Sequence, residues 1–361
     1  MVRDNNGLPR ASPHEYISVC LGDYHRNCLS SAQYEGRLVV PRSKKALFTN
    51  MYDSKPLTVG LVAPQQFWQQ EQTTRRNLLE QMAQLGVDHL YTADHVSFRN
   101  GSGMDGFVEV AALSQLHPSL KVMISIYLLP LRHPLVVARQ LESMHKIAPG
   151  RLLFGVGVGG EDRHEIEVCG VDPKTRGRRM NESLHIIRRL MTGEPLDFSG
   201  EFFELEKAQV IPRIDPATPI LIGGRSDAAL RRTGVYGDGW IGVWCSPQRF
   251  EAALSIIDQS AADCGRVGVA WQHGYQPWVG VADTKAQARE IVAREMEAFY
   301  KVPFEKFERY TPFGTPADVA PALAPYVAAG CSIMNLKVCA GSAAETITGA
   351  GEIARLLRSP R

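Results

Sequence analysis

Asp94-His95 places an acid beside an imidazole that titrates near neutral pH, the pair in this chain best suited to moving a proton. His95 reads as proton donor or acceptor, and Asp94 either orients it or caps the turn that follows. A second group is suited to phosphate. In Ile222-Gly223-Gly224-Arg225-Ser226 two glycines between a strand and a helix free the amides to point outward, the helix start adds partial positive charge, and Arg225 adds a full one. Asp227 in the first helical turn competes with an anion, and a tight turn with Ser226 as N-cap fits the same residues. Gly155-Val156-Gly157-Val158-Gly159-Gly160 carries glycines where a dinucleotide-binding turn has them, but 161–170 lacks the apolar stripe of the helix such a turn opens. These glycines are expected to end a strand where a flat ring lies against bare backbone, Gly157 and Gly159 foremost. Beyond them stand Glu161, Asp162, His164 and Glu165, which suit either a solvated loop or an acid at the site. Arg176, Arg178 and Arg179 flank a helix start, a place the dipole does not favour for cations, so a bound anion or plain surface exposure accounts for them. No His-Glu-x-x-His or Gly-x-Ser-x-Gly is present, so a hydrolytic metal site and a serine nucleophile elbow lack their residues.

Positioning these groups requires a scaffold, and its signal is strong. Apolar runs at 57–63, 89–93, 122–129, 152–158, 220–222, 240–244, 277–281 and 333–338 are continuous rather than alternating, as in strands buried on both faces of a parallel sheet. Amphipathic stretches separate them. Leu78, Leu79, Met82 and Leu85 form one stripe ending at Gly86, and Pro134 opens another that stops at Pro149-Gly150. Eight strand–helix units predict an α/β protein closed into a (β/α)₈ TIM barrel, with an open doubly wound sheet as the rival. Phe202, Phe203 and Leu205 predict a small hairpin within 194–219, and 301–316, rich in Phe and Pro, is expected to wall the pocket. Trp244, Trp271, Trp278 and Phe313 are its aromatic candidates.

Residues 1–54 carry no such period and are expected to form an extension outside the core, with 55–361 as the barrel domain; Met51 is a candidate alternative start. The 361 residues sum to a net charge of +2 with 44% hydrophobic residues, so no basic field for nucleic acid and no apolar run for a bilayer exists. Small-molecule partners are the expectation. Seven cysteines without a Cys-x-x-Cys pair fit a reducing cytoplasm better than a disulfide framework.

Taken in order, Asp94-His95, Pro130-Leu131-Arg132-His133-Pro134, Gly150-Arg151-Leu152 leading into the glycine run, Pro219-Ile220-Leu221-Ile222-Gly223-Gly224 and Gly237-Asp238-Gly239-Trp240 resemble the bacterial luciferase-like monooxygenase superfamily. Within it the chain is most similar to the branch that uses the deazaflavin coenzyme F-420 rather than FMN. The resemblance implies a barrel that binds the ring at its C-terminal rim, commonly as a homodimer. It implies a non-prolyl cis peptide at Ser125-Ile126 bracing the ring, His95 beside the reactive carbon, and cofactor phosphate at Gly223 and Gly224, with Arg225 and Ser226 adjoining. Where the sugar-phosphate dehydrogenases of the branch carry an active-site Glu this chain has Gly160, with Glu161 one step later as the candidate acid. That departure points away from a glucose phosphate substrate. The expected activity is hydride transfer between F-420 and an organic substrate. The alternatives are a reduced-FMN monooxygenase that uses oxygen and a partner flavin reductase, and a barrel that binds a flavin without catalysis.

Overall fold

The computed structural model describes residues 56–64, 66–99, 101–160 and 162–359. The expectations for 1–54, Met51 and Glu161 therefore lie outside the described residues. The first four strands are β1 (Thr58–Val62), β2 (His89–Thr92), β3 (Lys121–Leu128) and β4 (Leu152–Gly157), separated by α1 (Gln72–Gln84), α2 (Gly106–Leu116) and α3 (Pro134–Ile147). After β4 come α4 (Arg163–Val168), α5 (Arg176–Leu190) and an antiparallel hairpin of β5 (Leu196–Ser199) and β6 (Glu204–Ala208), where 194–219 predicted one. The second half runs β7 (Ile220–Gly223), α6 (Asp227–Tyr236), β8 (Gly239–Gly242), α7 (Pro247–Asp263), β9 (Gly274–Tyr275), β10 (Trp278–Val281), α8 (Lys285–Tyr300), β11 (Phe313–Gly314), α9 (Pro316–Ala328), β12 (Ile333–Cys339) and α10 (Ala343–Arg358).

Parallel pairing runs β1-β2-β3-β4-β7-β8-β9-β12 and returns from β12 to β1, with Thr58 level with Ile333, so the sheet closes into an eight-stranded barrel. The fold is a (β/α)₈ TIM barrel. One strand is reassigned. The seventh position belongs to the short β9, which pairs with β8 and β12, while 277–281 pairs higher up with β12 and β11, outside the ring. Pro277, with no amide to donate, stands at the break between β9 and β10. Tyr91, Met123, Leu153, Leu221, Ile241 and Ile333 from six strands fill the barrel interior. Helix ends are fixed locally: Asp105, Ser226, Ser246, Thr284 and Ser342 each cap a helix through a side-chain oxygen.

Candidate active site

The C-terminal ends of the barrel strands open into one cavity of about 1650 Å³, lined by residues that follow or end each of them. His95 stands there just beyond β2. Its Nδ1 lies 3.2 Å from Glu165 Oε2, and Glu165 Oε1 accepts from the amides of Val96 at 2.7 Å and Ser97 at 3.2 Å. Glu165 is only 3% exposed, so this carboxylate on α4 is a fixed acceptor. With Oε1 already accepting from two amides, Glu165 is suited to accept from Nδ1 as well, which leaves Nε2 outside this contact. The imidazole also packs on Phe98, ring centroids 4.3 Å apart.

Asp94 does not orient His95. Its Oδ1 accepts from Gly106 N at 3.0 Å and Arg132 Nη2 at 2.7 Å, and its Oδ2 from Leu128 N at 2.9 Å, which ties the start of α2 to the end of β3. Burial pushes its carboxyl above the ordinary value, against Arg132 and the two amides that hold it down. Asp94 still borders the cavity, as a fastener of the wall.

The register of β3 against β4 shifts between Ile124 and Tyr127, and in that bulge Ser125-Ile126 is a cis peptide, as the resemblance implied. Ile126 takes the space that the glycines leave. A Cβ on Gly157 would fall 1.9 Å from Ile126 Cδ1, and one on Gly223 would fall 2.8 Å from its Cγ2. Gly157 therefore does not present bare backbone to a ring; Ile126 covers it, and the cavity wall begins at Val158. Gly159, Gly160, Gly223 and Gly224 do line the cavity. Gly159 and Gly224 have φ of 69° and 134°, which suit glycine.

Ser125 Oγ donates to Gln276 Oε1 at 2.7 Å, and Asn335 Nδ2 donates to both, at 3.3 Å and 3.2 Å. Asn335 Oδ1 in turn accepts from His89 Nε2 at 2.7 Å. Burial holds His89 below its ordinary value despite that bond, so it is neutral, and its ring fills the space beside Gly60. This buried network braces the bulge from beneath.

Across the mouth, Ser226 caps α6 by accepting from Ala229 N, and Gly224 O accepts from Trp240 Nε1 at 2.7 Å. Asp227, the competitor for an anion, is paired with Arg249 at 2.8 Å. Arg225 lies over Trp244 at 5.1 Å, and Arg176 and Arg232 join it in the cavity wall. Arg232 donates to Asn181 Oδ1 and Gly177 O rather than to a carboxylate, and burial lowers its pKa. The arginines at the start of α5 divide: Arg176 reaches the cavity, whereas Arg178 pairs with Glu201 and Arg179 stacks on Phe202. The aromatic candidates divide too. Trp244 and Trp278 line the cavity, and Trp271 and Phe313 do not. The expected wall at 301–316 does not form; the end of α8, Ala298 to Tyr300, takes that place, with Phe307 packed behind Trp244 at 5.0 Å.

Glu165 as the partner of His95, the His89–Asn335–Gln276 network, Tyr91 and Lys337 were not singled out in the sequence. The signal was there as polar residues at period two within apolar runs, His89 and Tyr91 in one and Asn335 and Lys337 in another.

A closed parallel barrel whose strand ends meet in one cavity, with an imidazole, a bulged strand and an arginine-bearing rim around it, defines a TIM-barrel protein with a large cavity at its C-terminal mouth. Residues 57–331 match the model of the luciferase-like monooxygenase family, and the chain belongs to that family. It is 36% identical over 111 residues to an F-420-dependent glucose-6-phosphate dehydrogenase of Nakamurella multipartita, which is 30% of this chain and 32% of that protein. It is 29% identical over 225 residues to 4-hydroxyprotoasukamycin monooxygenase of Streptomyces nodosus subsp. asukaensis, 58% of this chain and 59% of that protein. In these, as in the mycobacterial proteins it also matches, the chain spans less than two thirds of the relative's length. The solved structure of an F-420-dependent secondary alcohol dehydrogenase with an F-420–acetone adduct superposes with a TM-score of 0.73 at 18% identity, covering 84% of this chain and 100% of that one. Family members of both kinds are oxidoreductases, and neither comparison singles out a coenzyme.

Proposed function

We propose that this chain is an oxidoreductase that moves a hydride between coenzyme F-420 and a small organic substrate. One observation carries the reading: a single cavity collects His95 held by Glu165, the Ser125-Ile126 bulge, and the Gly223-Gly224-Arg225-Ser226 turn. The residues suit a planar ring with a phosphate-bearing tail. Ile126, seated on Gly157 and Gly223, offers an apolar ledge to a ring, and Arg176, Arg225 and Arg232 have no ion pair with a described carboxylate and offer positive charge to a tail. When bound, the deazaflavin supplies a ring carbon that gives or takes a hydride as a two-electron unit. For a carbonyl substrate, the carbon gains the hydride and the oxygen a proton. In this step His95 acts as an imidazolium: it gives the proton on Nε2 to the substrate oxygen and keeps Nδ1–H on Glu165, which holds the ring aimed. The phosphate of the tail goes to the amides after Gly223 and to Arg225, and a homodimer belongs to the same reading.

The monooxygenase relative favours a second reading, in which reduced FMN occupies this cavity, oxygen is consumed and a partner reductase supplies the flavin. Fluorescence titration of the purified full chain with F-420 and with FMN, followed by anoxic turnover of reduced F-420 on an alcohol and ketone panel, tests both. Micromolar F-420 binding with oxygen-independent turnover is expected. FMN binding with turnover only in oxygen would replace the first reading by the second, and binding without turnover would leave a flavin-binding barrel.

A further inference from the structure

Three strands around the barrel from β7, the cavity holds a cation with no use in the scheme above. Lys337 follows Ile333 and Asn335 at period two on β12, so it points to the barrel interior. Its ammonium lies 5.5 Å over the Trp278 ring and pairs with no described carboxylate. Glu295, the carboxylate that borders the same part of the cavity, is engaged by the Cys339 thiol. A half-buried lysine on an aromatic face without a counter-charge is costly unless an anion arrives.

Tyr91 supplies a second unanswered group. It is 4% exposed, lines the same cavity, and its hydroxyl makes no hydrogen bond. Burial drives its phenol well above the ordinary value, so it remains a donor. Leu61 is level with Leu336 and Val62 with Tyr91, which puts Tyr91 and Lys337 at one height on strands either side of β1. Strands two places apart are separated by about 10 Å, and both residues line the cavity from either side of β1. Both also act electrostatically on, or are acted on by, the Cys339 thiol. Around them the wall is aromatic: Trp278 lies 5.9 Å from Phe299 and 5.7 Å from Tyr300, and Tyr300 lies 4.9 Å from Trp244.

We propose that Lys337 and Tyr91 form the subsite for a carboxylate on the substrate, whose apolar or aromatic body lies along Trp244, Trp278, Phe299 and Tyr300. This rests on the reading of the cavity as a redox site. Two single donors match the two oxygens of a carboxylate, whereas the arginine-rich rim beside β7 suits a phosphate.

The test measures binding of benzoate, cinnamate and naphthoate, each beside its uncharged carboxamide, to the full chain with and without F-420, by tryptophan quenching. At least one carboxylate should bind about tenfold more tightly than its amide, the scale of one charge-assisted hydrogen bond. Lys337→Met should abolish that preference and leave F-420 affinity unchanged. Tyr91→Phe, which deletes only an unpartnered hydroxyl, should reduce it about threefold without lowering the melting temperature. No preference in the wild type, or a preference that survives Lys337→Met, overturns the subsite. A tenfold loss of F-420 affinity in Lys337→Met also overturns it, by assigning the lysine to the cofactor. A wild type that shows the Lys337-dependent preference yet binds no F-420 would sink the cofactor reading and leave the subsite standing.

Discussion

At the scale of single residues the account turns on His95 and on the carboxylate behind it. Glu165 accepts from two amides and the imidazole at once, so replacing it with Gln puts an NH₂ where an acceptor is needed. Glu165→Gln should lower kcat by about 10- to 100-fold with F-420 affinity within about threefold, because it acts through the orientation of His95. His95→Ala should lower kcat by about 100-fold or more, again with little change in F-420 affinity. Equal losses in rate and affinity would make His95 a binding residue instead. The sequence alone showed His95 at a strand end and left Asp94 as either its orienting acid or a cap of the following turn. Adjacency favoured Asp94, whereas the fold spends Asp94 on fastening α2 to β3 and brings Glu165 from seventy residues away along the chain (95 to 165).

At the scale of elements, bare main chain at β4 serves the neighbouring strand. A Cβ on Gly155 would stand 2.4 Å from the carbonyl oxygen of Ile124, a backbone atom that cannot turn aside. Gly155→Ala should therefore destabilise the protein by about 1–3 kcal/mol or more, read as a lowered melting temperature. Gly157→Ala meets only the flexible end of Ile126, so its stability loss should be smaller while F-420 affinity falls, since the displaced Ile126 must move toward the cavity. Equal melting temperatures for the two variants would contradict this ordering. The barrel strands were legible because burial on both faces writes a continuous apolar run. The seventh was not. β9 is two residues, Gly274-Tyr275, between the polar His273 and Gln276, and the apolar run after Pro277 drew the assignment to β10. The lining of Gly157 was misread for a related reason: a glycine announces close approach but not whether a ligand or a side chain makes it.

At the scale of the whole molecule, the polar network inside the barrel couples stability to pH. His89 is held below its ordinary value of 6.5, so the unfolded chain takes up a proton that the folded one refuses. The stability it carries is complete above about pH 6.5 and is lost as pH falls below that value, by up to about 1.4 kcal/mol per unit. The melting temperature should drop between pH 7.5 and 5.5, conditions chosen on either side of about 6.5, and His89→Gln should flatten that slope. An unchanged slope in the variant would show that other groups dominate. The barrel also gathers cavity-lining groups that lie far apart in sequence, from Tyr91 and His95 to Lys337, around one mouth. The central claim is that one ligand touches the bulge, the imidazole and the arginine rim together. A crystal structure of the full chain with F-420 tests it most directly. The account predicts the ring on Ile126 beside His95 with its phosphate against Gly224 and Arg225, and a ring bound elsewhere, or a phosphate away from that turn, would contradict it.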